Sequence, residues 1–211
     1  MKKTGATAKP ARGVGRPRSE AARRQILEAA YKLLRAKGMQ STSTQQIATK
    51  AGVSTATLYR WWDTKEAIML DAMLEHARPA LAPEGKGSPL EELRADTVRQ
   101  AKYLASEDGK VVSRLLAGIH ENEKLRELFR RRVIVPRRVT PYRLVKEAIK
   151  RGELPKNTDP VELLDALYGP TLHRLFIGHA PITPEFAGRV ADMILGKRRA
   201  KGARRRTKRT P

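Results

Sequence analysis

Cysteine is absent from the 211 residues. That excludes disulfides and thiolate metal sites and is compatible with a reducing compartment. No apolar run approaches the roughly 18 residues of a membrane span. Residues 1–10 are basic but lack the apolar stretch of a secretory signal. The expected location is therefore the cytoplasm, with no membrane partner. No alternating strand pattern persists. There is no Walker loop, no G-x-G-x-x-G, no G-x-S-x-G and no H-E-x-x-H. The histidines are His76, His120, His173 and His179. His173 and His179 are six residues apart, a spacing that does not put two ligands on one helical face. Glu121 and Glu123 beside His120 read as helix-end charges. No enzyme, cofactor or metal is implied.

Acidic residues are missing from both ends of the chain. Residues 1–18 carry six basic side chains and residues 197–211 carry nine, with no acid in either. Of the net charge of +22, only +7 is left for residues 19–196. Such runs repel themselves and are expected to order only against a polyanion. Nucleic acid fits better than an anionic membrane, because the tails lack the apolar residues of an amphipathic anchor.

What is present is helical text throughout, so the expected fold class is all-α. Ala22, Ile26, Ala30 and Leu33 form a helical stripe that stops at Gly38. Two short helices are expected over 44–51 and about 54–61, with Gly52 between them. A fourth starts after Thr64 and is expected to run into the 78–81 region. Pro79, Pro83, Gly85, Gly87 and Pro89 mark a loop. Further helices are expected over 89–106 and 110–119, with a break at Asp108-Gly109. Residues 121–151 read as one long helix that Pro136 and Pro141 must bend or interrupt. Asp159-Pro160 and Thr183-Pro184 are start signals for two final helices. The expected organisation is a basic tail (1–18), a helical domain (19–80), a second helical domain (88–196) and a second basic tail (197–211).

Residues 43–62 have the requirements of a helix-turn-helix. The first helix needs a small residue where the second crosses it, and Ala48 supplies it. The turn favours a residue that accepts φ > 0, and Gly52 follows four residues later. Ile47, Val53, Leu58 and Trp61 or Trp62 are spaced to clamp the pair. The segment from Ser43 to Glu66, with Gly52-Val53-Ser54, Leu58-Tyr59, Trp62 and Lys65-Glu66, resembles the DNA-binding signature of the TetR family of bacterial transcriptional repressors. The resemblance is strong over residues 16–75. Beyond them it rests on architecture, an all-helical effector and dimerisation domain. Trp61-Trp62 is bulkier than the common pattern, and the long basic C-terminal tail is not a family hallmark.

Chemistry and resemblance together suggest roles. Thr55, Ala56 and Thr57 are small enough to let the second helix lie deep in a major groove. Gln45 is long enough for a base edge. Thr44, Tyr59, Arg60 and Lys65 suit phosphates. Arg16 and Arg18, in an extended Gly-Arg-Pro-Arg element, suit a narrow minor groove. An effector pocket is expected from Tyr103, Leu116, His120, Phe129, Tyr142, Tyr168 and Leu172, with Leu167 and Phe176 nearby. A homodimer is expected through Leu163, Leu167, Phe176, Phe186, Val190 and Ile194 of the last two helices. The implied function is a ligand-responsive regulator that represses from a palindromic operator and is released by a small molecule. The alternative is a constitutive architectural DNA-binding protein with basic tails.

Overall fold

The computed structural model describes residues 19–85, 87–119 and 122–196. The basic ends, with Arg16 and Arg18, lie outside the described residues, as do His120 and Glu121. Ten α-helices and one π-helical segment are described, in the order α1 (Glu20–Lys37), α2 (Thr44–Ala51), α3 (Thr55–Tyr59), α4 (Lys65–Ala77), α5 (Pro89–Leu104), α6 (Glu107–Ile119), α7 (Glu123–Phe129), the π segment (Arg130–Ile134), α8 (Val135–Lys150), α9 (Pro160–Ile177) and α10 (Pro184–Ile194). Their starts are set locally. Ser19, Ser43, Ser54, Thr64, Ser88, Asn122, Asp159 and Thr183 each accept a backbone N–H of the first turn through the side chain. That satisfies donors which have no partner inside the helix.

Three expectations are corrected. First, α4 ends at Ala77, and a turn follows at 78–81. Second, Asp108-Gly109 does not break a helix. The break lies at Ala105-Ser106, and both residues belong to the first turn of α6. A Cβ on Gly109 would stand 1.9 Å from the Leu104 carbonyl oxygen, so glycine serves close packing of α6 on the end of α5. Third, neither proline stops the long helix. Pro136 sits in the first turn of α8, where its missing N–H matters least, and Pro141 is buried inside that helix. The disturbance falls one turn earlier. There the Val135 N–H reaches back five residues to the Arg130 carbonyl, a π turn that widens the helix ahead of Pro136.

Two apolar cores result. One joins α1–α4 to Tyr103, Leu104, Val111, Val112, Leu115, Ile119, Phe129 and Val133. The other holds α5, α8, α9 and α10 together through Leu93, Val145, Leu164, Leu167 and Ala191. The first core therefore does not part at the 78–88 loop, because α6, α7 and the π segment pack on the N-terminal helices.

Three phenols are buried in these cores, Tyr31, Tyr103 and Tyr168. Burial raises the pKa of Tyr31, and its hydrogen bond to Asp108 adds to this. Burial, then the Asp96 charge, raises that of Tyr168. Burial, then the Asp108 charge, pushes Tyr103 up to about 12. Each folded phenol holds its proton more tightly than the unfolded chain does. Their contribution is thus complete below about pH 10 and is lost as pH rises through the folded values. Stability is expected to fall above pH 10 by up to about 1.4 kcal/mol per pH unit for each of these tyrosines. Urea midpoints between pH 9 and 11.5 check this. Tyrosinate absorbance from these three groups in the still-folded protein would contradict it.

Candidate nucleic-acid interface

The turn between α2 and α3 is built as the spacing requires. Gly52 is left-handed (φ 66°, ψ 32°). Its N–H bonds the Thr49 carbonyl at 3.2 Å, and that of Val53 bonds the Ala48 carbonyl at 3.0 Å. This pair of bonds closes the end of α2. Ile47, Ala48, Leu58 and Trp62 are buried and lock the two helices together. Ser43 and Gln46 form a capping box, which engages Gln46 and leaves its neighbour Gln45 on the exposed face. At the start of α3, the Ser54 hydroxyl accepts the Thr57 N–H and lies 3.0 Å from the Thr57 hydroxyl. Ala56, Tyr59 and Arg60 are exposed, while Thr44, Thr55, Thr57 and Lys65 are half-buried. Tyr59 is 54% exposed and so is not a core residue. Lys65 lies 4.0 Å from Glu66. The starts of α2 and α3 thus present short hydroxyls, an amide and a phenol, chemistry suited to base edges and phosphates.

Helix α4 ties this head to the rest of the chain. Asp71, in an otherwise apolar run, accepts the Trp62 Nε1–H at 2.7 Å and Arg132 of the π segment at 2.7 Å. A second tie joins Tyr31, which donates to Asp108 of α6, and His76, whose Nε2 lies 3.2 Å from Asp108 and whose ring stacks on Tyr31 at 3.7 Å. Beyond these ties, the C-terminal end of α4 walls a cavity of about 330 Å³. Leu74, Ala77 and Leu81 form one side, Glu92 and Asp96 of α5 another, and Pro136, Arg137, Pro141 and Leu144 of α8 the third.

Two family models match this architecture. "Bacterial regulatory proteins, tetR family" covers residues 26–72, and "Tetracyclin repressor-like, C-terminal domain" covers residues 83–194. The chain belongs to the TetR family. It is similar to the HTH-type transcriptional regulator YdeS of Bacillus subtilis, with 35% identity over 86% of this chain and 90% of that one. Among solved structures, the TetR family transcription regulator SCO0332 superposes with a TM-score of 0.73 at 25% identity, covering 85% of this chain and all of that one. FadR from Bacillus subtilis, solved in complex with stearoyl-CoA, shares the fold with a TM-score of 0.60 at 18% identity, covering 83% of this chain and 99% of that one. The protein is thus a TetR-family helix-turn-helix transcriptional regulator with an all-helical fold.

The cavity beside α4 is lined by none of the described residues expected at an effector pocket. Tyr103, Phe129 and Leu167 are packed in the cores, and Leu116 and Leu172 are partly buried against the first core. Tyr142 points outward, 40% exposed, with Lys146 over its ring. Tyr168 stands behind the wall and donates to Asp96. Aromatic and apolar residues at helical spacing filled the core, and the space was left between a helix end, a loop and α8. The apolar residues expected at a dimer face are also redistributed. Leu167 and Val190 are buried within the protomer, whereas Phe176 is exposed together with Val161, Ile177 and Met193. Sequence reasoning missed Asp71 and Asp108. A single acid in the apolar run 68–73 was the one local signal for Asp71. It also missed that His173 and His179 come together, ring centroids 5.0 Å apart, because the chain turns back at Gly178. Among the described residues, no group of three or more metal-ligating side chains is assembled, and no helix is long and apolar enough to cross a membrane.

Proposed function

We propose that this TetR-family regulator is a repressor that binds a palindromic operator as a homodimer and is released by a small-molecule effector. One observation carries the reading. The start of α4 buttresses the helix-turn-helix, and its end walls the cavity. An occupant that binds better when α4 is displaced also favours the state in which the two reading heads are wrongly spaced. Val161, Phe176 and Ile177 of α9 and Met193 of α10 are exposed apolar side chains available to a second copy, and Gly169 of α9 has open space above it. The complex of FadR with stearoyl-CoA supports a ligand-bearing role for the fold, without naming this chain's effector.

The test starts from selection of random duplexes on the full-length protein. A palindrome is expected, with half-site centres about 34–36 Å apart or somewhat wider. Effector binding is expected to weaken it by about 5–150-fold. Selection that returns no shared sequence would favour the architectural reading.

Within the operator, Gln45→Ala and Thr55→Ala are expected to relax base preference by about 1–3 kcal/mol at the contacted position. Tyr59→Phe and Lys65→Ala are expected to weaken all sequences alike, as phosphate contacts do. Anisotropy titrations on operator and scrambled duplexes separate the two patterns. The same loss on both duplexes for all four variants would refute the division of roles.

The basic ends supply a salt test. Each phosphate contact adds about 0.9 to the slope of log affinity against log salt. Deleting residues 198–211, or residues 1–15, is expected to flatten that slope while operator preference is retained. The deletion of residues 1–15 keeps Arg16 and Arg18, and Arg16→Ala is expected to cost more at A·T-flanked than at G·C-flanked operators. A slope unchanged by both deletions would mean that the ends do not touch DNA.

A further inference from the structure

The turn between α9 and α10 brings together two side chains that neither the DNA interface nor the cavity uses. His173 lies in the last turns of α9, and His179 directly follows its capping Gly178. Gly178 is left-handed (φ 69°), and its N–H bonds the Arg174 carbonyl at 2.9 Å, so the chain folds back at the helix end. Arg174 also holds the far side of the turn. Its guanidinium donates to the Pro181 carbonyl and lies 3.4 Å from the ring centroid of Phe186 in α10. The backbone is thus anchored on both sides of His179. The two imidazole centroids stand 5.0 Å apart with their planes tilted by 59°. Both side chains are exposed. Among the described residues, neither imidazole has a hydrogen bond or an ion pair.

That spacing is not one of stacking. Tyr31 and His76, which do stack, stand at 3.7 Å and 16°. It is a spacing that two imidazoles adopt on one metal ion. With a metal–nitrogen bond of about 2.1 Å and about 1.1 Å from a ring nitrogen to its centroid, the two centroids lie about 4.5 Å apart for a right angle at the metal and about 5.2 Å apart for a tetrahedral one. Rotation about χ2 turns the nitrogens and leaves the ring centre nearly in place, so exposed rings can aim at a common point without backbone movement. Two further features suit a cation. The C-terminal end of a helix such as α9 carries partial negative charge. The anchored turn is already ordered, so little conformational freedom is lost on binding. The neighbouring cation, Arg174, is engaged by the Pro181 carbonyl and the Phe186 face. Imidazole selects zinc, nickel and copper over magnesium and calcium, which prefer oxygen ligands.

We propose that His173 and His179 form a two-imidazole site for a divalent transition-metal ion of the zinc, nickel or copper class, with water in the remaining positions. The bound ion links the end of α9 to the turn before α10, independently of what fills the cavity. The test uses the untagged full-length protein, with ZnCl₂ as the probe and MgCl₂ as its control. Calorimetry is expected to give one Zn²⁺ per chain at this pair. His173→Ala or His179→Ala is expected to weaken Zn²⁺ by about tenfold or more, since each removes one arm of a chelate. His76→Gln, on α4, is expected to leave it unchanged. Both imidazoles are exposed, so the two alanine variants are expected to melt with the wild type in EDTA. Zn²⁺ is expected to raise the melting temperature of the wild type more than that of either variant. In nuclear magnetic resonance spectra, the imidazole signals of His173 and His179 are expected to shift together on adding Zn²⁺, with those of His76 unmoved. The proposal is overturned if the alanine variants bind Zn²⁺ as tightly as the wild type, if Mg²⁺ binds as tightly as Zn²⁺, or if only one of the two imidazoles responds. The rings are then a tilted aromatic pair and nothing more.

Discussion

Asp96→Ala is expected to destabilise the protein by about 3–5 kcal/mol, the range for removing one partner of a buried ion pair. Asp96 is 4% exposed and is the acceptor on which three side chains converge, Arg137, Tyr168 and, at longer range, Arg99. The substitution removes about half of the negative charge in the wall and leaves Arg137 and the Tyr168 hydroxyl without it. The loss comes from what is left behind more than from the strength of the original pair. A control follows from that distinction. Combining Asp96→Leu with Arg137→Met removes both charges and is expected to recover much of the lost stability. Urea denaturation of the three proteins measures this. An Asp96→Ala penalty below about 1 kcal/mol would mean that water reaches the network and replaces the carboxylate.

Trp62→Ala is expected to have a comparable effect, about 3–5 kcal/mol, through a different term. Trp62 is 2% exposed and belongs to the first core, so truncation opens a cavity where α3 meets α4. It also takes the indole N–H from Asp71, which keeps Arg132 as its partner. Trp61 is the internal control. It is only partly buried, with Arg23 5.9 Å from its ring, and Trp61→Ala is expected to cost roughly half as much or less. Because α3 rests on Trp62, operator binding by Trp62→Ala is expected to fail at temperatures where α5 and α8–α10 remain folded. Calorimetry together with anisotropy at the same temperatures checks the order of the two losses. Equal penalties for the two tryptophans would place the indole of Trp61 in the core as well.

The parts that were legible in the sequence are those decided within a few residues. Thr64, Asp159 and Thr183 announce their helices because a short side-chain acceptor satisfies donors two or three residues on. Gly52 announces the helix-turn-helix because its turn requires a positive φ. The ties that join the head to the body were not legible. Arg132 meets Asp71 across 61 residues and Tyr31 meets Asp108 across 77, and no local pattern marks either partner. The lining of the cavity beside α4 was not legible for a related reason. A list of apolar and aromatic residues identifies what fills space, whereas a cavity is where packing fails between elements, here at the α4 end and Pro136. The residues expected at a dimer face followed the same logic. Leu167 and Val190 were claimed by their own protomer before any second copy.

The corner between α5 and α6 is defined by an atom that is not there. With the Leu104 carbonyl where a methyl on residue 109 would stand, α6 can approach only because that position has no side chain. One residue earlier, Asp108 reaches across to Tyr31 and His76. A single added carbon at 109 would therefore act like a wedge in a hinge. Its local volume is trivial, but it lifts the start of α6 and draws the carboxylate away from the N-terminal helices. A residue that faces neither DNA nor cavity thereby sets how firmly the two halves of the molecule are held to each other.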